Sequence, residues 1–310
     1  MPRNDITRPD GDMRPETIGF LLIPGFALLP YACAVEPLRA ANVLSGRTLY
    51  AWRHFSPDGQ PVAASNGVVI DAAALPDSAS EVGALFVCAG GNPATFRHAP
   101  TFARLRRLSR QGMRIGGISG GPYLLARAGL LHGHRCTLHW EHAAAFAEEF
   151  PELDLRRSLF EIDRDRLTSS GGTAALDMMH ALIAQAHGPA IAAAVSDWFL
   201  QTEIRTGTAP QRMALRDRLG VRSAPLLRAL AAMEARLEQP CSRQELAAAA
   251  GVSTRQLERL FRAELGRKPG AHYLGLRLER ARQLARQTDL PLAEIAAACG
   301  FSSGSHFARS

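Results

Sequence analysis

At 310 residues, with 46% hydrophobic and 21% charged residues, the chain is long enough for two domains and has the composition of an ordinary globular protein. Its 36 Lys and Arg against 29 Asp and Glu leave a net charge of +7, and no run approaches the roughly 18 apolar residues of a membrane-spanning helix. Five scattered cysteines, Cys33, Cys88, Cys136, Cys241 and Cys299, show no C-x-x-C spacing, which argues against a structural metal and fits a reducing cytoplasm.

The start, MPRNDITRPDGDMRP, is polar and proline-bearing, so residues 1–15 read as a disordered tail and neither a signal peptide nor an anchor. From there to residue 200 strands alternate with helices. Apolar runs at 17–24, 50–55, 84–88, 113–118 and 166–169 read as strands, and 32–44, 101–111, 122–131, 141–149, 174–187 and 190–200 as helices. The pattern predicts an α/β domain with a doubly wound parallel sheet over 16–200, which binds ligands at the carboxyl ends of its strands. Three of those ends are glycine-rich: Ala89-Gly90-Gly91, Ser119-Gly120-Gly121 and Ser170-Gly171-Gly172. At the second, RIGGISGGPYLLARAGLL, a strand turns sharply into a helix with Ser119 at the bend, where helix N–H groups favour an anion.

Residues 201–224 turn polar and arginine-bearing with Gly and Pro, the composition of a linker. The last part, 225–310, carries 12 Arg and one Lys against seven Glu and one Asp, a net +5, which suits a nucleic-acid partner. Within it, SRQELAAAAGVSTRQLERLF predicts two short helices around a corner: Leu246, Ala247 and Ala250 form the apolar face, Gly251 turns, and Ser253 caps the second helix. Ile295, Ala296, Cys299 and Gly300 repeat that pattern about fifty residues later. Two helix-turn-helix units in an all-α domain are therefore expected. Between them Leu274, Leu278, Ala281, Leu284 and Ala285 recur at helical spacing and predict a spacer helix.

These two units, with G-x-x-P-x-x-x-Y-L-x-x-x-R-L-x-x-A-R between them, resemble the DNA-binding domain of AraC-family transcription regulators. The resemblance implies that Thr254, Arg255, Glu258, Arg259 and Arg262 in the first unit, and Ser305, His306 and Arg309 in the second, face DNA. Arg would pair with guanine and Glu would accept from cytosine. In that family the second recognition helix continues beyond the point matched by Ser310, so the C-terminal domain reads as incomplete. The first domain is similar to the ThiJ/PfpI and class I glutamine-amidotransferase-like, flavodoxin-like domains, with Ser119 at the position of their elbow cysteine, Gly120 where the protease-like branch has histidine, and Glu36 and His139 as supporting residues. Together the two domains resemble the GlxA-like transcription regulators, closest to members sensing quaternary amines or amino acids such as glycine betaine, carnitine or arginine.

The resemblance implies a catalytically inactive sensor pocket with no cofactor and no metal. Ser119, Gly120 and Gly91 would take a carboxylate, Glu36 a cationic end, and Trp140 or Phe26 would offer an aromatic face beside His139. It also implies promoter DNA and RNA polymerase as partners, a homodimer formed through the first domain, a cytoplasmic activator and no membrane partner. Two other classes stay open: a hydrolase or amidase using Ser119, His139 and Glu36, and a DNA-binding protein that needs no effector.

Overall fold

The computed structural model describes residues 14–302 and 307–308. Residues 1–13 of the expected tail, and Ser305, His306 and Arg309, lie outside them. The chain divides into two compact units, Met1–His139 with Glu152–Ala209, and Trp140–Pro151 with Pro210–Ser310.

In the first unit β1 (Glu16–Leu22) leads into α1 (Leu28–Ser45) and β2 (Tyr50–Ser56). Two-residue ladders β3 (Val62–Ala63) and β4 (Val69–Ile70) form a hairpin, and β5 (Ala73–Ala74) edges the sheet. Then come β6 (Ala84–Ala89), α2 (Ala99–Arg110), β7 (Arg114–Ser119), α3 (Gly121–Arg127) and β8 (Arg135–Cys136). After α4 (Ala143–Glu149), which falls in the second unit, follow β9 (Asp154–Leu155), β10 (Phe160–Asp163), β11 (Arg166–Ser169), α5 (Ala174–His187) and α6 (Pro189–Trp198).

The seven-stranded sheet runs β10-β11-β7-β6-β1-β2-β5, parallel except for the antiparallel edge strand β10. This is the doubly wound, flavodoxin-like fold: the order reverses at β1, where β2 lies on one side and β6 on the other. Phe20, Leu21 and Leu22 are fully buried because a central parallel strand is covered on both faces, the reason its sequence is apolar without alternation. Against one face α1 and α5 pack Ala34, Leu38, Ala41, Met178 and Ile183 in a common core with Phe20 and Phe86. Helix α3 stops at Arg127, short of the expected residue 131, because Gly129 takes φ 73° and the chain turns back there. The two-residue ladders escape sequence reading, since so short a run carries no usable period, and β10 escapes it because FEID lacks the contiguous apolar run of a buried parallel strand.

In the second unit α7 (Leu215–Leu219), which lies inside the expected linker, precedes α8 (Ala224–Ala235), α9 (Arg243–Ala250), α10 (Thr254–Leu265), α11 (Pro269–Gln287) and α12 (Leu292–Ala298). Leu246, Ala247, Ala250, Leu257 and Phe261 pack with Leu226, Leu230 and Met233 of α8 in one core. Helix α11 is the expected spacer, 19 residues long. Ala285, expected on its apolar face, is exposed; Ala281 and Leu284 are buried, Leu274 and Leu278 are half-buried, and so is Arg277.

Candidate functional site

The sharp bend after β7 places Ser119 at φ 61°, a left-handed conformation costing a residue with a Cβ about 1–3 kcal/mol. Glycines let the neighbouring chain close around it. A Cβ on Gly121 would lie 1.9 Å from the Val87 carbonyl oxygen, and one on Gly171 would lie 2.7 Å from the Ser119 Cβ and 3.0 Å from its Oγ. The loop after β11 therefore abuts the serine directly. Ser119 as a whole is 7% exposed, and its hydroxyl makes no hydrogen bond with another described residue. Its carbonyl accepts from the His139 N–H at 3.2 Å, so His139 is held beside the elbow through its backbone.

The other expected residues fall in several settings. The Gly120 N–H donates to the Ala89 carbonyl at 3.0 Å, whereas the N–H groups of Gly91, at φ 58°, and Gly121 have no backbone acceptor among the described residues. Glu36, on α1, receives Arg39 at 2.7–2.8 Å and stays half-exposed. Phe26 is fully buried, its ring edge-on to Tyr31 at 5.5 Å. Trp140 belongs to the second unit, and the Arg212 guanidinium lies over its ring at 4.5 Å.

Sequence reading passed over Tyr31 and His54, which share a 2.7 Å hydrogen bond beside Phe20, and burial holds the His54 pKa below its ordinary value. A tyrosine in the first turns of the helix after β1 was the available signal. Burial also raises the Cys88 thiol and pushes Cys136 up to about 12, as befits small buried hydrophobes. A separate cavity of about 210 Å³ lies at the amino ends of the strands, lined by Ile18, Tyr50, Phe86, Arg114 and Met179, away from the elbow. Among the described residues no cluster of His, Cys, Asp or Glu is arranged to hold a metal ion, and no helix is long and apolar enough to cross a membrane.

In the second unit the Ser242 Oγ accepts from the Glu245 N–H at 3.2 Å while the Glu245 carboxylate accepts from the Ser242 N–H at 2.8 Å, a reciprocal cap at the start of α9. Gly251 turns the corner at φ 69°, and the Ser253 Oγ accepts from the Gln256 N–H to start α10. With Leu257 and Phe261 buried, Thr254, Arg255, Arg259 and Arg262 are exposed, and Glu258 is half-exposed with Arg243 3.8 Å away. Arg255, Arg259 and Arg262 make no ion pair with another described residue.

Each corner is held from outside its own helices. Arg228 of α8 donates to the Ala250 carbonyl at 2.6 Å. Arg277 of α11 donates to the Cys299 and Gly300 carbonyls at 2.7 Å each, and its guanidinium lies 4.0 Å from the centre of the Phe301 ring. Tyr273 donates to the Arg236 carbonyl and accepts from the Cys241 N–H at 3.1 Å, tying α11 to the loop before α9.

The DJ-1/PfpI family matches residues 18–185, and a helix-turn-helix domain matches 246–310. The chain is 46% identical to the HTH-type transcriptional regulator GbdR of Pseudomonas aeruginosa over 303 residues, 97% of this chain and 82% of that protein. It is 46% identical to the HTH-type transcriptional regulator GlxA of Rhizobium meliloti over 293 residues, 94% and 90% of the two chains. A solved AraC family transcriptional regulator from Pseudomonas putida, 28% identical, superposes with a TM-score of 0.54 over 60% of this chain and 100% of that one. With an elbow-bearing parallel sheet in one unit and a capped helix-turn-helix in the other, the chain belongs to the GlxA-like DNA-binding transcription regulators, which join a DJ-1/PfpI domain to an AraC-type helix-turn-helix domain.

Proposed function

We propose that the first unit is a sensor without catalytic activity, whose elbow takes a small zwitterion of the quaternary-amine or amino-acid class and whose ligand state sets occupancy of promoter DNA. The observation that carries this reading is the Ser119 hydroxyl, held in a costly conformation at the strand end and bonded to no base among the described residues. A serine hydroxyl is hardly ionised near neutral pH and attacks only when a base removes its proton, but it donates to a carboxylate as it stands. The Gly91 and Gly121 N–H groups supply further donors. Glu36 supplies the charge for a cationic end, with Arg39 as the partner it exchanges.

In the second unit Arg255, Glu258 and Arg259 read base edges from α10, with Arg262 and Thr254 toward the backbone. Dimerisation through the first unit, contact with RNA polymerase, activation and a cytoplasmic setting follow from the same family reading.

The test is a thermal-shift screen of the full chain against glycine betaine, dimethylglycine, carnitine, choline and arginine. A ligand at 100 times its Kd stabilises the folded protein by about 2.7 kcal/mol, a Tm rise of roughly 5–10 °C for a unit of this size. Ser119→Ala and Glu36→Gln are expected to abolish the shift while leaving DNA affinity intact. No shift with any of these compounds rejects the ligand class. Turnover of an amide or ester that disappears in Ser119→Ala would instead establish the hydrolase.

A further inference from the structure

The chain leaves α6 through Leu200, a branched residue at φ 56° that is 86% exposed, and doubles back over the start of α5 before the first unit ends at Ala209. There it meets Asp177, in the first turn of α5, whose side chain is 0% exposed. A carboxylate removed from water this completely persists only when its oxygens are filled. Here one oxygen accepts from the Gln201 side chain at 2.7 Å and the Arg205 N–H at 3.0 Å, and the other from the Arg205 guanidinium at 2.5 and 3.0 Å. All of these donors come from residues 201–205, so the exit strap is fastened to α5 through one buried group.

The same guanidinium donates to the Thr173 hydroxyl at 2.7 Å, and Thr173 follows directly on the glycine pair whose first member abuts Ser119. A second, backbone route runs in parallel. The Ser170 N–H donates to the Leu159 carbonyl at 2.8 Å, and the Leu159 N–H to the Gly207 carbonyl at 2.7 Å. Gly207 lies against β10 so closely that a Cβ would meet the Phe160 carbonyl oxygen at 2.7 Å. Both routes begin in the loop touching Ser119 and end in the strap. The buried Gln201 Oε1 has no partner among the described residues, so the fastened arrangement is not fully satisfied and a competing one has less to overcome.

We infer that Asp177 and Arg205 form the coupling clamp of the regulator: occupation of the elbow moves the 170–173 loop, and the loop tightens or releases the strap that carries the chain toward the DNA-binding unit. The clamp rests on the sensor reading for its ligand but not for its mechanics, so the two are tested separately.

In the ligand-free full chain, Thr173→Val removes the hydroxyl bonded to Arg205, and Gly171→Ala pushes the loop against Ser119. Hydrogen exchange at the Arg205 and Leu159 amides is expected to quicken at least tenfold in Gly171→Ala and at Arg205 in Thr173→Val, with α2 unchanged. Unchanged strap exchange in both variants overturns the clamp whatever the ligand proves to be. In the second arm, glycine betaine is added and affinity is measured for DNA the protein selects from a random library. Arg205→Lys, and the paired replacement Asp177→Asn with Arg205→Gln, are expected to keep the wild-type Tm shift but reduce the ligand-induced change in DNA affinity at least tenfold. An unaltered ligand response in both overturns the clamp. If wild type shows no Tm shift, glycine betaine is rejected as the ligand and the exchange arm decides the clamp alone.

Discussion

The two halves of the DNA-binding unit repeat one another with an offset of 49 residues, and the repeat is tighter inside than outside. Leu246, Ala247, Ala250 and Gly251 return as Ile295, Ala296, Cys299 and Gly300, and Arg228 returns as Arg277, each arginine bonding a corner carbonyl 22 residues ahead of it. The exposed start of the first helix does not repeat. Ser242 with its reciprocal cap becomes Pro291, which has no side-chain cap bond. What is retained is what the packed corner requires, and what has drifted is worth only about 1 kcal/mol. The corners also differ in surroundings. A Cβ on Gly251 would meet only the Arg228 guanidinium at 3.4 Å, whereas one on Gly300 would strike the Leu237 and Glu238 carbonyl oxygens at 2.7 Å.

The largest expected effect comes from setting the two corners against each other. Gly300→Ala must displace backbone and should cost about 3–4 kcal/mol, against about 1 kcal/mol for Gly251→Ala, where the left-handed conformation is the whole penalty. Denaturant unfolding of the full chain, followed by hydrogen exchange in α9 and α12, measures both. Equal costs would mean that the second corner is looser than its geometry implies.

The arginines come next. Arg277→Ala removes two charge-assisted bonds and the Phe301 contact and should cost about 3 kcal/mol, roughly twice the loss from Arg228→Ala with its single bond. Chemical denaturation reads the ratio. The caps should give about 1 kcal/mol of opposite sign: a loss for Ser242→Ala and a smaller gain for Pro291→Ser, visible as Tm changes.

The smallest effect is a pH dependence at His272 of the spacer helix α11. His272 packs its ring 5.8 Å from Phe261, and burial, with Arg267 nearby, holds its pKa below the ordinary 6.5. The folded form therefore binds fewer protons than the unfolded one. The stabilisation is complete above pH 6.5 and is lost as pH falls through and below it. His272→Phe should flatten that slope in a series of Tm measurements, and an unchanged slope would assign it to another group such as His54.

Legibility in the sequence followed the range of the interaction. Parallel strands announced themselves because burial on both faces makes Phe20, Leu21 and Leu22 contiguous, and the corners did so because Gly251 and Gly300 each follow a small apolar face. The elbow was visible as a polar residue among glycines. The pairings that hold these pieces were not visible, because a charged residue carries no mark of its partner. Arg205 lies 28 residues from Asp177 and reads as part of a linker, and nothing in the sequence of α11 sets Arg277 apart from Arg280, Arg282 and Arg286. The cover over Trp140 is equally hidden: nothing near it in sequence signals that Arg212 lies over its ring.

Because Arg277 and Tyr273 on one 19-residue helix grip both the loop before the first half and the corner of the second, the two halves cannot slide independently along a groove. A base pair inserted between their recognition sequences would turn one site by about a tenth of a helical revolution relative to the other. With both halves on DNA as proposed, binding should depend on that phase as well as on sequence, and a one-base-pair insertion should weaken it.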